Sequence, residues 1–235
     1  MKPNRFMLAL AALCFAAGGA SAQQTDGKSV APKTYKAYMV SDAHLDTQWN
    51  WDVQTTIREY IPRTLFQNLY LMERFPDYRF SFEGGVVYSW MKEYYPMHYE
   101  RMKKYIASGQ WHIAGASWDA SDPNMPSAES FFRNILLGQE FYKKEFGVRS
   151  TDIFLPDCFG FGYTLPSLAA HCGLIGFSTQ KLSWRKHDFF PDAPYHKKNP
   201  FSWGVWYGID GQSLMAAFDT GGDTAEPVSY THLTL

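Results

Sequence analysis

His44 and Asp46 stand two residues apart at the end of an alternating apolar stretch, within "SDAHLDTQWNW". In an extended segment side chains at i and i+2 point the same way, so the two can converge on one point beyond a strand end. A neutral imidazole and a carboxylate are good ligands for Zn²⁺. The H-x-D pair alone describes a polar turn or a helix cap equally well. A metal site needs at least a third ligand, and Asp157 in "FLPDCFGF" offers one from another predicted strand end. Alone, Asp157 also reads as an N-cap after a strand, and Cys158 beside it could be read as a thiolate ligand.

The elements that must position these residues follow from periodicity. "KAYMVSDA" (36–43), "YRFSFE" (78–83), "QWHIAG" (110–115), "TDIFLPD" (151–157) and "IGFSTQ" (175–180) read as strands. Between them lie helical patterns. The first covers 55–75, with Ile57, Ile61, Leu65, Leu69 and Met72 on one face. The second covers 86–107 and is split by Pro96. The third runs from Ser127 to Phe146, where "SAES" resembles a capping box. A short helix at 165–171 ends before Gly173. "FSWGVWYGIDGQSLMAAF" reads as a hairpin turning at Asp210-Gly211. Strand and helix alternate with short connections. That order predicts an α/β fold with parallel strands and helices outside, open or closed as a (β/α) barrel. Functional residues of such folds gather at the carboxyl ends of the strands. His44, Asp46, Glu83 and Asp157 fall there, as does the loop carrying Trp118, Asp119 and Asp122.

Bulk properties narrow the function classes. Of 235 residues, 46% are hydrophobic, enough for a sizeable core, and the net charge of −1 gives no electrostatic reason to expect nucleic acid or a membrane surface as partner. The 8 Trp and 15 Tyr are read first as core and second as platforms for sugar rings. Residues 1–22 have the signal-peptide pattern: Lys2 and Arg5, an apolar run from Phe6 to Ala17, then Ala20-Ser21-Ala22. Export to the periplasm or outside the cell is therefore expected, with no membrane span once the signal is cleaved. Residues 23–35 read as a flexible leader. Cys158 and Cys172 are expected to be free, buried thiols.

Four segments together carry a resemblance: "AHLDTQWNW", "SFEGGVVYSW", "GQWHIAGASWDASDPNMPSAESFFRN" and "FLPDCFGFGYTLPSLAAHCGLIGFSTQKLSW". In this order and spacing they resemble the N-terminal catalytic region of glycoside hydrolase family 38, the α-mannosidases. The resemblance covers roughly residues 36–220, within a partial catalytic domain expected over 36–225. It implies a retaining α-mannosidase that takes terminal mannose from glycans, with zinc or another divalent ion as cofactor. His44 and Asp46 match the family's H-x-D metal ligands. Asp157 matches the aspartate that both ligates the metal and attacks the anomeric carbon. Trp49 matches an aromatic beside the bound sugar. Trp118 and Asp122 match residues that shape the substrate site, and Glu83 a recurrent acidic position behind the ligands. The axial 2-hydroxyl of an α-mannoside crowds attack at C1, and an ion chelating the 2- and 3-hydroxyls would hold the ring in a distorted form.

The resemblance also implies a fourth ligand, a histidine, and an acid/base carboxylate, both downstream and without counterparts in this sequence. The catalytic domain is accordingly expected to be incomplete at its C-terminus, with 226–235 a tail of doubtful origin, and this chain alone is expected to be inactive. Two other readings stand beside this one. A catalytically dead carbohydrate-binding domain would use the aromatics alone. A metal-dependent carbohydrate deacetylase would use Asp157 as a base, but the paired H-x-x-x-H of that class is not found. His98, His112, His171, His187, His196, Lys181 and Trp184 are read as structural or exposed, Trp51 as core, and Arg133 as paired with an acidic neighbour.

Overall fold

The computed structural model describes residues 40–180 and 203–218. The signal, leader and tail expectations, and those for Lys181, Trp184, His187 and His196, lie outside the described residues. The five strands and the hairpin read from the sequence are all present, in the expected order. They form two sheets rather than one.

In the first sheet β1 (Ser41–Ala43), β2 (Phe80–Phe82) and β3 (Trp111–Ile113) run parallel, with Ser41 opposite Phe80 and Phe80 opposite Trp111. Helices cover it. A short α1 (Val53–Thr55) leads through a π-helical turn, Thr56–Tyr60, into α2 (Ile61–Arg74). Pro62 accounts for the π turn. Its ring would clash with the carbonyl four residues earlier, and the wider i→i+5 spacing relieves that contact. The Ile61 N–H duly bonds to Thr56 O. From Ile61 onward Leu65, Leu69 and Met72 recur on one face and are buried against Phe80, Phe82 and Trp111. Truncating a fully buried leucine such as Leu65 to alanine would cost about 2–5 kcal/mol. Asn68 shares that buried face, with its polar groups satisfied: Nδ2 donates to Thr64 O at 2.8 Å and Oδ1 accepts from Tyr78 Oη at 2.7 Å. The long helix predicted after β2 is split where expected, into α3 (Gly85–Tyr94) and α4 (Pro96–Ser108).

The second sheet has the order β4 (Asp152–Phe154), β5 (Gly176–Ser178), β7 (Ser213–Ala217), β6 (Trp203–Tyr207). The first three are parallel, and β6 pairs antiparallel with β7 as the predicted hairpin. It has its own core, in which Ile153, Leu155 and Phe177 meet Phe131 and Ile135 of α5 (Ala128–Phe146) and Leu165 of α6 (Leu165–His171).

Between β3 and β4 side chains replace the ladder. The chain turns away at Gly115, whose φ of 68 favours glycine, and its N–H bonds to Asp152 Oδ2 at 3.2 Å. A buried amide anchors the start of β4 to a helix: Gln139 donates to Ser150 O and accepts from Ser150 N. Ser127 caps α5 as expected, accepting from Ser130 N. The residue at the box's far position is Ser130, whose hydroxyl meets that of Ser127 at 3.1 Å, in place of the reciprocal glutamate.

Two side-chain expectations change. Trp51 is half-buried rather than core. Its ring lies 4.7 Å from Tyr60, and Nε1 donates to Thr56 Oγ1 at 2.7 Å. Cys158 and Cys172 are free but half-buried. Arg133 pairs with Glu129 at 2.7 Å, as expected.

Candidate functional site

The site is assembled from strand ends. His44 follows β1 directly, Glu83 follows β2, and Asp157 lies in the turn after β4. Parallel strands carry their terminal residues to the same edge, so three separate segments meet. His44 Nε2 is 3.1 Å from Asp46 Oδ1 and 4.0 Å from Asp157 Oδ2. One donor atom from each of the three lies within 4.8 Å of the others. Bonds of about 2.0–2.2 Å to a shared ion would need ligand atoms roughly 3.5 Å apart, so small side-chain rotations bring this set to bonding range.

The other face of the imidazole is fixed. Its Nδ1 lies 2.5 Å from Glu83 Oε1, and Glu83 is buried at 6% exposure. Metal-bound histidines usually donate their second N–H to such a group, which sets the tautomer and frees the opposite nitrogen. Without an ion, burial opposes a charged His44, but the hydrogen bonds to Asp46 and Glu83, and the charges of both, outweigh it and raise the imidazole to about 10. Burial likewise raises the Glu83 carboxyl, while the contact with His44 pulls it back. An incoming cation would displace the proton on Nε2.

An open cleft of about 450 Å³ surrounds this group. His44, Asp46 and Asp157 line it together with Ser121, Asp122 and Asn124 of the loop after β3. The loop after β3 is clamped in place. Asn134 of α5 takes the Asp119 N–H at 3.0 Å and returns Nδ2 to Asp119 O at 2.8 Å. Gly138 permits that approach, because a Cβ there would stand 2.2 Å from Ala116 O. Asp119 then accepts from Thr47 Oγ1 at 3.2 Å, which joins this loop to the one carrying Asp46. Burial raises the Asp119 carboxyl.

The structure brings His44, Asp46, Asp157 and Asp122 to the cleft. Trp49 and Trp118 are not among its lining residues. Trp49 is 72% exposed on the segment after Asp46, edge-on to Trp51. Trp118 packs edge-on to Phe141 of α5 at 5.5 Å and leaves no room for a side chain at Gly85, so here it holds α3 and α5 to the loop. The Cys158 thiol donates to Ser121 O at 3.6 Å, and burial pushes it up to about 12, which disfavours the thiolate that a ligand would require.

Sequence reasoning passed over Ser121, Asn124 and Phe159. Phe159 lines the cleft with 65% of its surface exposed. The i, i+2 spacing from Asp157 was the available signal. Ser121 Oγ is buried with no hydrogen-bond partner among the described residues.

Comparison with known proteins identifies the family. Residues 34–227 match the family described as "Glycosyl hydrolases family 38 N-terminal domain". "Alpha-mannosidase G" of Dictyostelium discoideum is 37% identical over 183 residues, 78% of this chain and 16% of that protein. Human "Alpha-mannosidase 2C1" is 32% identical over 207 residues, 88% of this chain and 19% of that one. The chain thus spans less than a fifth of the length of these relatives. The crystal structure of an α-mannosidase from Enterococcus faecalis V583 superposes with a TM-score of 0.64 at 23% identity, covering 78% of this chain and 20% of that one, and shares the fold.

Proposed function

The chain belongs to glycosyl hydrolase family 38, and from that premise we propose that it carries the nucleophile and metal ligands of a retaining α-mannosidase acting on mannose-containing glycans. The observation that carries this reading is the convergence of His44, Asp46 and Asp157 on one point of an open cleft, with Glu83 fixing the imidazole from behind.

His44 Nε2, Asp46 and Asp157 would hold a divalent ion, and their nitrogen and oxygen donors suit zinc. When bound, the ion supplies charge stabilisation and a chelating point for the sugar's 2- and 3-hydroxyls. The remaining steps belong to side chains. Asp157 attacks the anomeric carbon as the glycosidic bond breaks, and the bonding pair leaves with the departing oxygen. A glycosyl ester on Asp157 results. Water then attacks the same carbon, giving a proton to the acid/base carboxylate and releasing the Asp157 carboxylate, so two inversions give retention. The leaving oxygen's proton comes from a second carboxyl, which in retaining enzymes stands about 5–5.5 Å from the nucleophile. Asp122, which lines the cleft, would contact substrate hydroxyls. Trp49 would close over the sugar from its exposed position. Export is part of the same proposal and rests on the signal pattern of residues 1–22; a mature N-terminus at Gln23 would support it.

A 2,4-dinitrophenyl α-mannoside tests the reading. Its leaving group departs without protonation, so phenolate release depends on the nucleophile and not on a general acid. On this activated substrate alone, which needs no acid/base, zinc-dependent release by the wild type is expected, reduced at least about 10³-fold in Asp157→Asn; ordinary mannosides should stay unhydrolysed by this chain. Equal release from both proteins would overturn it.

A further inference from the structure

Asp157 sits in a turn, Pro156 to Gly160, beyond the last paired residues of β4. The loop after β3 supplies hydrogen-bond partners to that turn. Asn124 Nδ2 donates to Gly160 O at 2.8 Å, and the Cys158 thiol donates to Ser121 O at 3.6 Å. The loop is shaped to offer that amide. Asp122 Oδ1 accepts the Asn124 N–H at 2.8 Å, a local turn around Pro123 that projects the asparagine side chain. Behind the loop, Asn134 and Thr47 fix Asp119. Hydrogen bonds thus tie the loop at one end to α5, through Asp119, and at the other to the turn that holds Asp157, through Asn124.

We propose that Asn124 is a positioning residue: by holding the Gly160 carbonyl, it sets where the Asp157 carboxylate points. The inference rests on the reading of Asp157 as ligand and nucleophile, but its first test does not. Asn124 is exposed and is not one of the three residues of the metal-ligand group, so its own removal takes no ligand away. Its amide N–H is the feature that matters. Asn124→Asp keeps the shape and loses the donor, and it sets a carboxylate oxygen against a carbonyl.

Cys158, between Asp157 and Gly160, reports on the turn. Its alkylation by iodoacetamide, followed by peptide mass spectrometry with Cys172 as internal control, measures how often the turn opens. In both Asn124→Ala and Asn124→Asp, Cys158 labelling should accelerate roughly threefold to tenfold, as expected from one net hydrogen bond. Cys172 labelling and the melting temperature should stay at wild-type values. Zinc affinity, titrated in the same proteins, should fall by a similar factor. Unchanged Cys158 labelling in both variants would overturn the tie. Faster labelling with wild-type zinc affinity would overturn the positioning of Asp157. A rise in Asn124→Ala but not in Asn124→Asp would show that the contact is packing and not donation, which also overturns the proposal. Should the wild type itself take up no zinc, the metal reading fails, and the labelling result still decides the tie.

Discussion

His44 Nδ1 and Glu83 Oε1 stand 2.5 Å apart, joining the end of β1 to the end of β2 beneath the candidate metal centre. The pair turns Nε2 toward Asp46 and Asp157 and holds it there. Substituting Glu83 by glutamine keeps the volume but offers a weaker acceptor. Zinc affinity should fall about 10- to 100-fold, the usual effect of removing a partner behind a ligand. Competition with a chromophoric chelator measures it, and an unchanged affinity would show that the tautomer is set elsewhere.

The same pair gives the metal-free protein a pH dependence. Folding raises His44 from 6.5 to about 10 and also raises Glu83. Both shifts have one sign. The His44 contribution is fully present below pH 6.5 and is lost as pH rises through about 10. After chelation, urea stability should therefore drop more between pH 7 and pH 10 in the wild type than in His44→Gln. Parallel loss in the two proteins would contradict this.

Gly138 should tolerate nothing larger. A Cβ there meets Ala116 O at 2.2 Å and the Ser117 carbonyl carbon at 2.5 Å, both backbone. Gly138→Ala must push the loop away from α5, at a cost of about 1–3 kcal/mol in denaturant titrations. The displaced loop carries Asp119 and Asp122, so zinc affinity should weaken as well.

Trp49, exposed beside the site, should act on sugar and not on metal. Trp49→Ala should leave zinc affinity at the wild-type value and weaken α-mannoside binding roughly threefold to tenfold, in line with one aromatic contact. Calorimetry with and without zinc separates the two effects.

Much of this was legible in the sequence because periodicity and turn chemistry are local. The split at Pro96, the Ser127 cap and the hairpin around Asp210-Gly211 all follow from neighbouring residues. The convergence of His44 with Asp157 could be read only through the topology of parallel strands. The break between β3 and β4 was not readable, because it depends on the Asp152 side chain taking the Gly115 N–H in place of a ladder bond. Trp118 shows the same limit. An aromatic in a loop near acidic residues suits a sugar platform, yet contacts with Phe141 and Gly85, both distant in sequence, lodge it between helices. Asn124 was overlooked because its value comes from a carbonyl 36 residues away.

The most direct measurement is to trap the glycosyl ester with 5-fluoro-α-mannosyl fluoride in the presence of zinc and map it by peptide mass spectrometry. The account predicts a fluoromannosyl adduct on Asp157 that is absent when zinc is chelated. An adduct on another carboxylate, or one that forms equally in Asp157→Asn, would contradict it.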